Sequence, residues 1–171
     1  MKGYVQVYTG NGKGKTTAAL GLALRAAGAG LKVFIAQFCK GLDYSELEAL
    51  KLLRDSIEIK QYGKPSFIHG KPCEEDKKLA KEGLTASKEA IESKKYDVII
   101  LDEANIAVHY NLISIDDLLE IIDKKPDNIE LIITGRNAKK ELIKKSDLVT
   151  RMSEIKHYYR KGIKARRGIE H

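Results

Sequence analysis

A glycine-rich turn set between a strand pattern and a helical pattern constrains this chain more than any other feature. Tyr4-Val5-Gln6-Val7-Tyr8 has the alternation of a strand. It runs into Thr9-Gly10-Asn11-Gly12-Lys13-Gly14-Lys15-Thr16-Thr17, and a helical pattern opens near Lys15. That order is the arrangement of a phosphate-binding P-loop. Glycines let successive backbone N–H groups curl around an anion, and the helix N-terminus points its positive dipole end at the same place. Lys15 would reach the outer phosphates, and the Thr16 hydroxyl would ligate magnesium. The spelling is unusual. Three residues separate Gly10 from Gly14, whereas the common pattern G-x-x-x-x-G-K-[ST] has four and would place glycine at position 9. A surface turn that binds nothing is the plain alternative, and the flanking strand and helix argue against it.

Short apolar runs alternate with helical patterns along the rest of the chain. The expected strands are residues 4–8, 32–38, 57–61, 97–101 and 129–134, with shorter ones at 147–150 and 154–159. Several are unbroken Val/Ile/Leu runs, as in strands buried on both faces of a parallel sheet. The expected helices are 15–27, 45–54, 74–94, 114–124 and 138–145. Ser114 with Asp117 reads as a capping pair, and Gly28 and Gly30 stop the first helix. This alternation predicts an α/β fold, doubly wound around a mainly parallel sheet, of the P-loop NTPase (RecA-like) type. Its ligand belongs at the carboxyl ends of the strands. One domain is expected over residues 1–171. Residues 62–73 carry Gly63, Pro65, Gly70 and Pro72 without periodicity, so they read as a long functional loop or a plain connector.

Asp102 and Glu103 follow the apolar run Val98-Ile99-Ile100-Leu101. Two carboxylates at the carboxyl end of a buried strand are costly unless a cation meets them. Beside a P-loop that cation is magnesium, held between the loop hydroxyl and this acid. An acidic helix cap is the alternative. Arg136, in Thr134-Gly135-Arg136, ends another apolar strand on the same edge. There it could bind phosphate, ribose or a carboxylate, or make a structural ion pair. The chain has no Asn-Lys-x-Asp guanine motif, which disfavours a GTPase.

The net charge of +7 raises nucleic acid as a partner. A basic C-terminal segment, residues 156–171, holds Lys156, Arg160, Lys161, Lys164, Arg166 and Arg167 against Glu170. Such a segment suits nucleic acid or a polyanionic small molecule equally. Tyr158 and Tyr159 beside Arg160 are its stacking candidates and fit a strand as well, so no nucleic acid is expected. No apolar run approaches the roughly 20 residues that cross a bilayer. The first strand begins too early for a signal peptide. A cytoplasmic protein without membrane contact is expected, and Cys39 and Cys73, which form no C-x-x-C pair, suit reduced thiols.

These residues together resemble one P-loop family, the ATP:cob(I)alamin, or corrinoid, adenosyltransferases of the bacterial and archaeal type. That family's Thr-Gly-Asn-Gly-Lys-Gly-Lys-Thr-Thr-Ala-Ala stands unchanged at residues 9–19, so the short glycine spacing is the family's own. The likeness continues through residues 21–30, Gln37-Phe38-Cys39-Lys40-Gly41, Glu46 and residues 96–105, which end in Leu-Asp-Glu-x-Asn. It runs on through Thr134-Gly135-Arg136, Ser146-Asp147-Leu148-Val149-Thr150, Lys156-His157, Gly162-Ile163-Lys164-Ala165 and Gly168-Ile169-Glu170.

The resemblance implies an enzyme that transfers the 5′-deoxyadenosyl group of ATP to the cobalt(I) of a corrinoid. Triphosphate leaves, and adenosylcobalamin or its precursor forms. ATP, Mg2+ (or Mn2+) and a corrinoid are the implied bound species, with Thr9, Gly10, Asn11, Gly12, Lys13, Gly14, Lys15, Thr16 and Thr17 on the triphosphate. Lys13 and Lys15 would stabilise the leaving group. Thr16 and Glu103, with Asp102 adjacent, would hold the metal, and Arg136 would face nucleotide or corrinoid. Phe67 matches an aromatic of the family's Gly-x-Gly-Phe-x-Trp, which helps remove the lower axial ligand of cob(II)alamin. His69 stands at the tryptophan position, and the chain has no tryptophan. Arg151 stands where the family often has Glu. Many members carry an N-terminal extension, while this chain starts at its first strand, so closure of the site is expected from elsewhere or on binding. A homodimer and a reduced flavoprotein electron donor are also implied. The alternatives are a P-loop ATPase or kinase cutting at the γ-phosphate, and a nucleic-acid-stimulated NTPase.

Overall fold

The computed structural model describes residues 2–66 and 70–171. Strands β1 (Val5–Thr9), β2 (Val33–Phe38), β3 (Ile57–Tyr62), β4 (Val98–Asp102), β5 (Glu130–Thr134) and β6 (Leu148–Arg151) form one sheet. Their order is β3-β2-β4-β5-β1-β6, and each of these pairings is parallel. Helices α1 (Lys15–Gly28), α2 (Ser45–Lys51), α3 (Glu74–Glu92), α4 (Ala104–His109), α5 (Ile115–Lys124) and α6 (Lys140–Lys145) flank it. The doubly wound α/β fold is as expected, with its sheet parallel throughout the described residues.

The unbroken apolar runs become central strands because both faces of the sheet are covered. Along β4, Val98 and Ile100 point to the side of α1 and α2, while Ile99 and Leu101 point to the side of α3 to α6. Helix α1 meets the sheet through Ala19, Ala23 and Ala26, whose spacing of four and three residues puts them on one stripe. The small side chains let its backbone lie close. On the other face α3 contributes Ala80, Leu84 and Ile91, and α5 contributes Leu118 and Ile121. Ile100 is fully buried, so truncating it to alanine would cost about 2–5 kcal/mol. Since all strands run the same way, the turns after β1, β2, β4 and β5 emerge on one edge and can meet there.

Some elements differ from expectation. Residues 154–159 are not a strand. The chain leaves the sheet after Arg151, and a short 3₁₀ helix, Tyr158–Lys161, follows. His157 Nδ1 accepts the Tyr159 N–H at 3.1 Å and starts that turn, and Gly162, at φ 78°, ends it. Helix α4 was not expected. It is only six residues long and follows β4 directly, through Glu103 in a left-handed conformation (φ 58°). Helix α2 stops at Lys51 and α6 starts at Lys140, both shorter than their sequence patterns. The Ser114–Asp117 capping box is present, with the Asp117 N–H donating to Ser114 Oγ and the Ser114 N–H to Asp117 Oδ2.

Candidate active site

The glycine loop leaves β1 at Thr9 and turns into α1 at Lys15. Gly10 (φ 100°) and Gly14 (φ 114°) take backbone conformations that side chains resist. Lys15 is buried, and its Nζ donates to Gly10 O and Gly12 O, both at 2.8 Å. Burial lowers the pKa of this ammonium, opposed by the nearby Glu103 carboxylate. Thr9 Oγ1 accepts the Ala138 N–H at 3.3 Å, so it braces the turn after β5. Asn11, Lys13 and Thr17 are exposed at the mouth of the loop.

Asp102, the last residue of β4, is 1% exposed and sits at the centre of a polar cluster. Thr16 Oγ1 donates to its Oδ1 at 2.9 Å. Thr134 Oγ1 donates to Oδ1 at 2.6 Å, while Gln37 Nε2 and Lys40 Nζ donate to Oδ2 at 3.2 and 2.8 Å. Lys40 Nζ also lies 3.3 Å from Thr16 Oγ1. Loop hydroxyl and strand carboxylate thus touch directly, with the Lys40 ammonium against both. Oxygen donors that already hold an ammonium suit a hard divalent ion, so these residues fit magnesium. Burial pulls the Lys40 pKa down, and Asp102 more than restores it, leaving it raised.

Glu103 takes a different place. Its N–H donates to Thr134 Oγ1 at 3.0 Å, and its carboxylate turns toward the loop after β5. A Cβ on Gly135 would stand 3.2 Å from Glu103 Oε2 and 2.9 Å from Asn105 Cβ, which is why glycine sits there, at φ 126°. Burial, then the neighbouring Asp102, raises the Glu103 pKa, with Lys40, Lys15 and Arg136 opposing. Of the two acids it is therefore Asp102, not Glu103, that meets Thr16. Arg136 is exposed and close enough to influence both Lys15 and Glu103.

Two further segments border the cluster. The turn after β2 presses on the turn after β3. A Cβ on Gly41 would fall 2.2 Å from Gly63 O, and one on Gly63 would fall 2.4 Å from Lys40 N. The loop that starts there is anchored by buried Asp76, which accepts from the Cys73 N–H and pairs with Lys64. Phe67 and His69 lie outside the described residues. On the other side, backbone following β6 crosses the glycine loop, with the Gly12 N–H donating to Met152 O at 2.8 Å. The basic segment then folds back over the site, where Ile169 O accepts from Lys13 Nζ and His171 O from Ser45 Oγ, both at 3.0 Å. Arg160 pairs with Glu154, just ahead of the segment, and Arg166 with Glu170 inside it.

The structure brings Thr16 and Asp102 together in one cluster, with Lys15 and Glu103 beside it. Gln37, Lys40 and Thr134 belong to it as well, although their contacts carry no sequence signal beyond the blocks containing them. The family described as ATP:corrinoid adenosyltransferase BtuR/CobO/CobP matches residues 1–171. The chain belongs to this family.

It is thus an enzyme of the adenosyl-transferring, alkyl-group class. A corrinoid adenosyltransferase of Sinorhizobium is 36% identical over 172 residues, which cover 99% of this chain and 80% of the relative. One from Pseudomonas aeruginosa is 31% identical over 170 residues, covering 99% and 84%. One from Escherichia coli is 31% identical over 170 residues, covering 99% and 86%. Family membership implies ATP and a corrinoid as substrates.

Proposed function

We propose that the chain transfers the 5′-deoxyadenosyl group of ATP to the cobalt(I) of a corrinoid and releases inorganic triphosphate. One observation carries the reading: the loop at residues 9–17 presents Thr16 to Asp102, in a chain matched end to end by the corrinoid adenosyltransferase family. The electron pair of cobalt(I) forms the Co–C5′ bond. The C5′–O bond breaks, and its pair leaves on triphosphate, so cobalt becomes cobalt(III) and no proton must move. The protein's task is then to position the reactants and stabilise charge on the leaving group. Loop N–H groups and Lys15 act on the phosphates, with Lys13 at the mouth and Arg136 facing nucleotide or corrinoid. Magnesium, held by Thr16 and Asp102 with Glu103 beside them, would add positive charge to the same phosphates.

A single domain is supported by one sheet that contains all six strands of the described residues. A cytoplasmic location is proposed; among the described residues no helix is long and apolar enough to cross a membrane. Binding of small molecules, not nucleic acid, is favoured because Arg160 and Arg166 are already paired with Glu154 and Glu170. A homodimer and a reduced flavoprotein donor are part of the same proposal.

The test mixes protein, ATP, Mg2+ and chemically reduced corrinoid, follows the absorbance change of adenosylation and assays triphosphate. Triphosphate formed in step with adenosylcorrinoid is expected. Release of ADP or monophosphate without corrinoid would replace the proposal with cleavage at the γ-phosphate.

A further inference from the structure

We propose that the Lys40 ammonium and a divalent cation compete for the same oxygens of Thr16 and Asp102, and that metal loading turns Lys40 away. The inference rests on reading Thr16 and Asp102 as the magnesium pair. Lys40 Nζ lies 2.8 Å from Asp102 Oδ2 and 3.3 Å from Thr16 Oγ1. Thr16 Oγ1 also donates directly to Asp102 Oδ1 at 2.9 Å, so a metal that takes both oxygens replaces that contact and enters beside the Lys40 charge. Side-chain exposure there is only 13% for Lys40 and 1% for Asp102, so little water screens two like charges from each other. The two charges cannot hold those oxygens together.

The geometry also says how Lys40 can leave. Its backbone is pinned, because Gly41 and Gly63 touch backbone to backbone and leave no room even for a Cβ. Movement falls to the flexible four-carbon stem. A second resting place is within reach, since Nζ is already 5.3 Å from the centroid of the Tyr44 ring. Glu46, in the first turn of α2, adds a carboxylate on that side. Exchange would put a double charge on Asp102 and keep the displaced ammonium at the rim of the site, so positive charge rises as the polyphosphate enters. Lys40 is therefore a positioning residue that sets the affinity for bare metal.

Mn2+ alone, without nucleotide or corrinoid, is titrated into the wild type, Lys40→Met, Lys40→Gln and Lys40→Met/Asp102→Asn, with free Mn2+ read by electron paramagnetic resonance. Lys40→Met should bind Mn2+ at least about tenfold more tightly than the wild type, and the double variant should lose the gain. Lys40→Gln keeps an N–H donor for Asp102; it carries the same expectation and decides the matter if Lys40→Met does not fold. A lysine that merely braces Asp102 predicts the opposite sign. Unchanged or weaker binding in the folded single variants overturns the exchange. If the wild type binds Mn2+ with ATP but the variants gain nothing, only the exchange fails. If no protein binds Mn2+ even with ATP, the reading of the metal pair fails with it.

Discussion

The Gly12 N–H donates to Met152 O at 2.8 Å, and the Met152 N–H donates in turn to Thr9 O at 2.8 Å. Backbone that follows β6 therefore lies directly on the glycine loop. A Cβ at Gly10 or Gly12 would stand 2.3 or 2.9 Å from Met152 O. These glycines are required by the protein's own chain, independently of any phosphate.

Replacing Gly12 with alanine is accordingly expected to destabilise the protein in the absence of ligand. The cost should be about 1–3 kcal/mol, as for other forced shifts in close packing. Urea unfolding at constant m-value measures it. An unchanged midpoint would mean that the segment at Met152 yields freely.

Lys15→Ala removes the one buried ammonium of the loop. Hydrogen bonds to charged groups contribute about 1.5–3 kcal/mol, so ATP affinity should fall by more than about tenfold. Triphosphate release should be abolished. A variant that makes triphosphate at the wild-type rate would remove Lys15 from the leaving-group role.

Asp102→Asn leaves the Lys40 ammonium in a mostly buried place with no carboxylate opposite. Breaking such a pair costs about 3–5 kcal/mol, readable as a lower urea midpoint. The double variant Lys40→Met/Asp102→Asn should recover most of that loss. If it does not, the pair is not what ties the two residues together.

The raised pKa of Glu103 gives a pH signature. Its unfolded value is near 4.5, and the folded value lies above that, so the ionised carboxylate weakens the fold at neutral pH. The penalty grows as pH rises from the unfolded to the folded pKa and is absent below both. Glu103→Gln should therefore raise the urea midpoint at pH 7 and bring no gain below about pH 4. A gain of the same size at both pH values would rule out the charge as its cause.

The sequence made β4 and β5 legible because their apolar runs have no polar break, and it made the loop legible because glycines and lysine stand between two periodic patterns. It did not distinguish the roles of Asp102 and Glu103. Adjacent carboxylates look alike until the left-handed turn at Glu103 sends one into the cluster and the other toward Gly135. Helix α4 escaped notice for the same reason, since that turn starts it without a propensity signal. Lys40 could be read as part of a motif but not as the partner of Asp102, because that contact depends on strand order. The strand expected at 154–159 failed because His157 caps its own turn.

Synthesis adds an order in time to the contact between Gly12 and Met152. The glycine loop leaves the ribosome ahead of five of the six strands, while Met152 and the Ile169 carbonyl that holds Lys13 follow all of them. A growing chain thus displays the glycine loop long before the backbone that packs on it exists, and on the proposed reading ATP binding awaits the segment at Met152. Ribosome-arrested chains of increasing length would report this as ATP crosslinking that begins only after residue 152 has emerged.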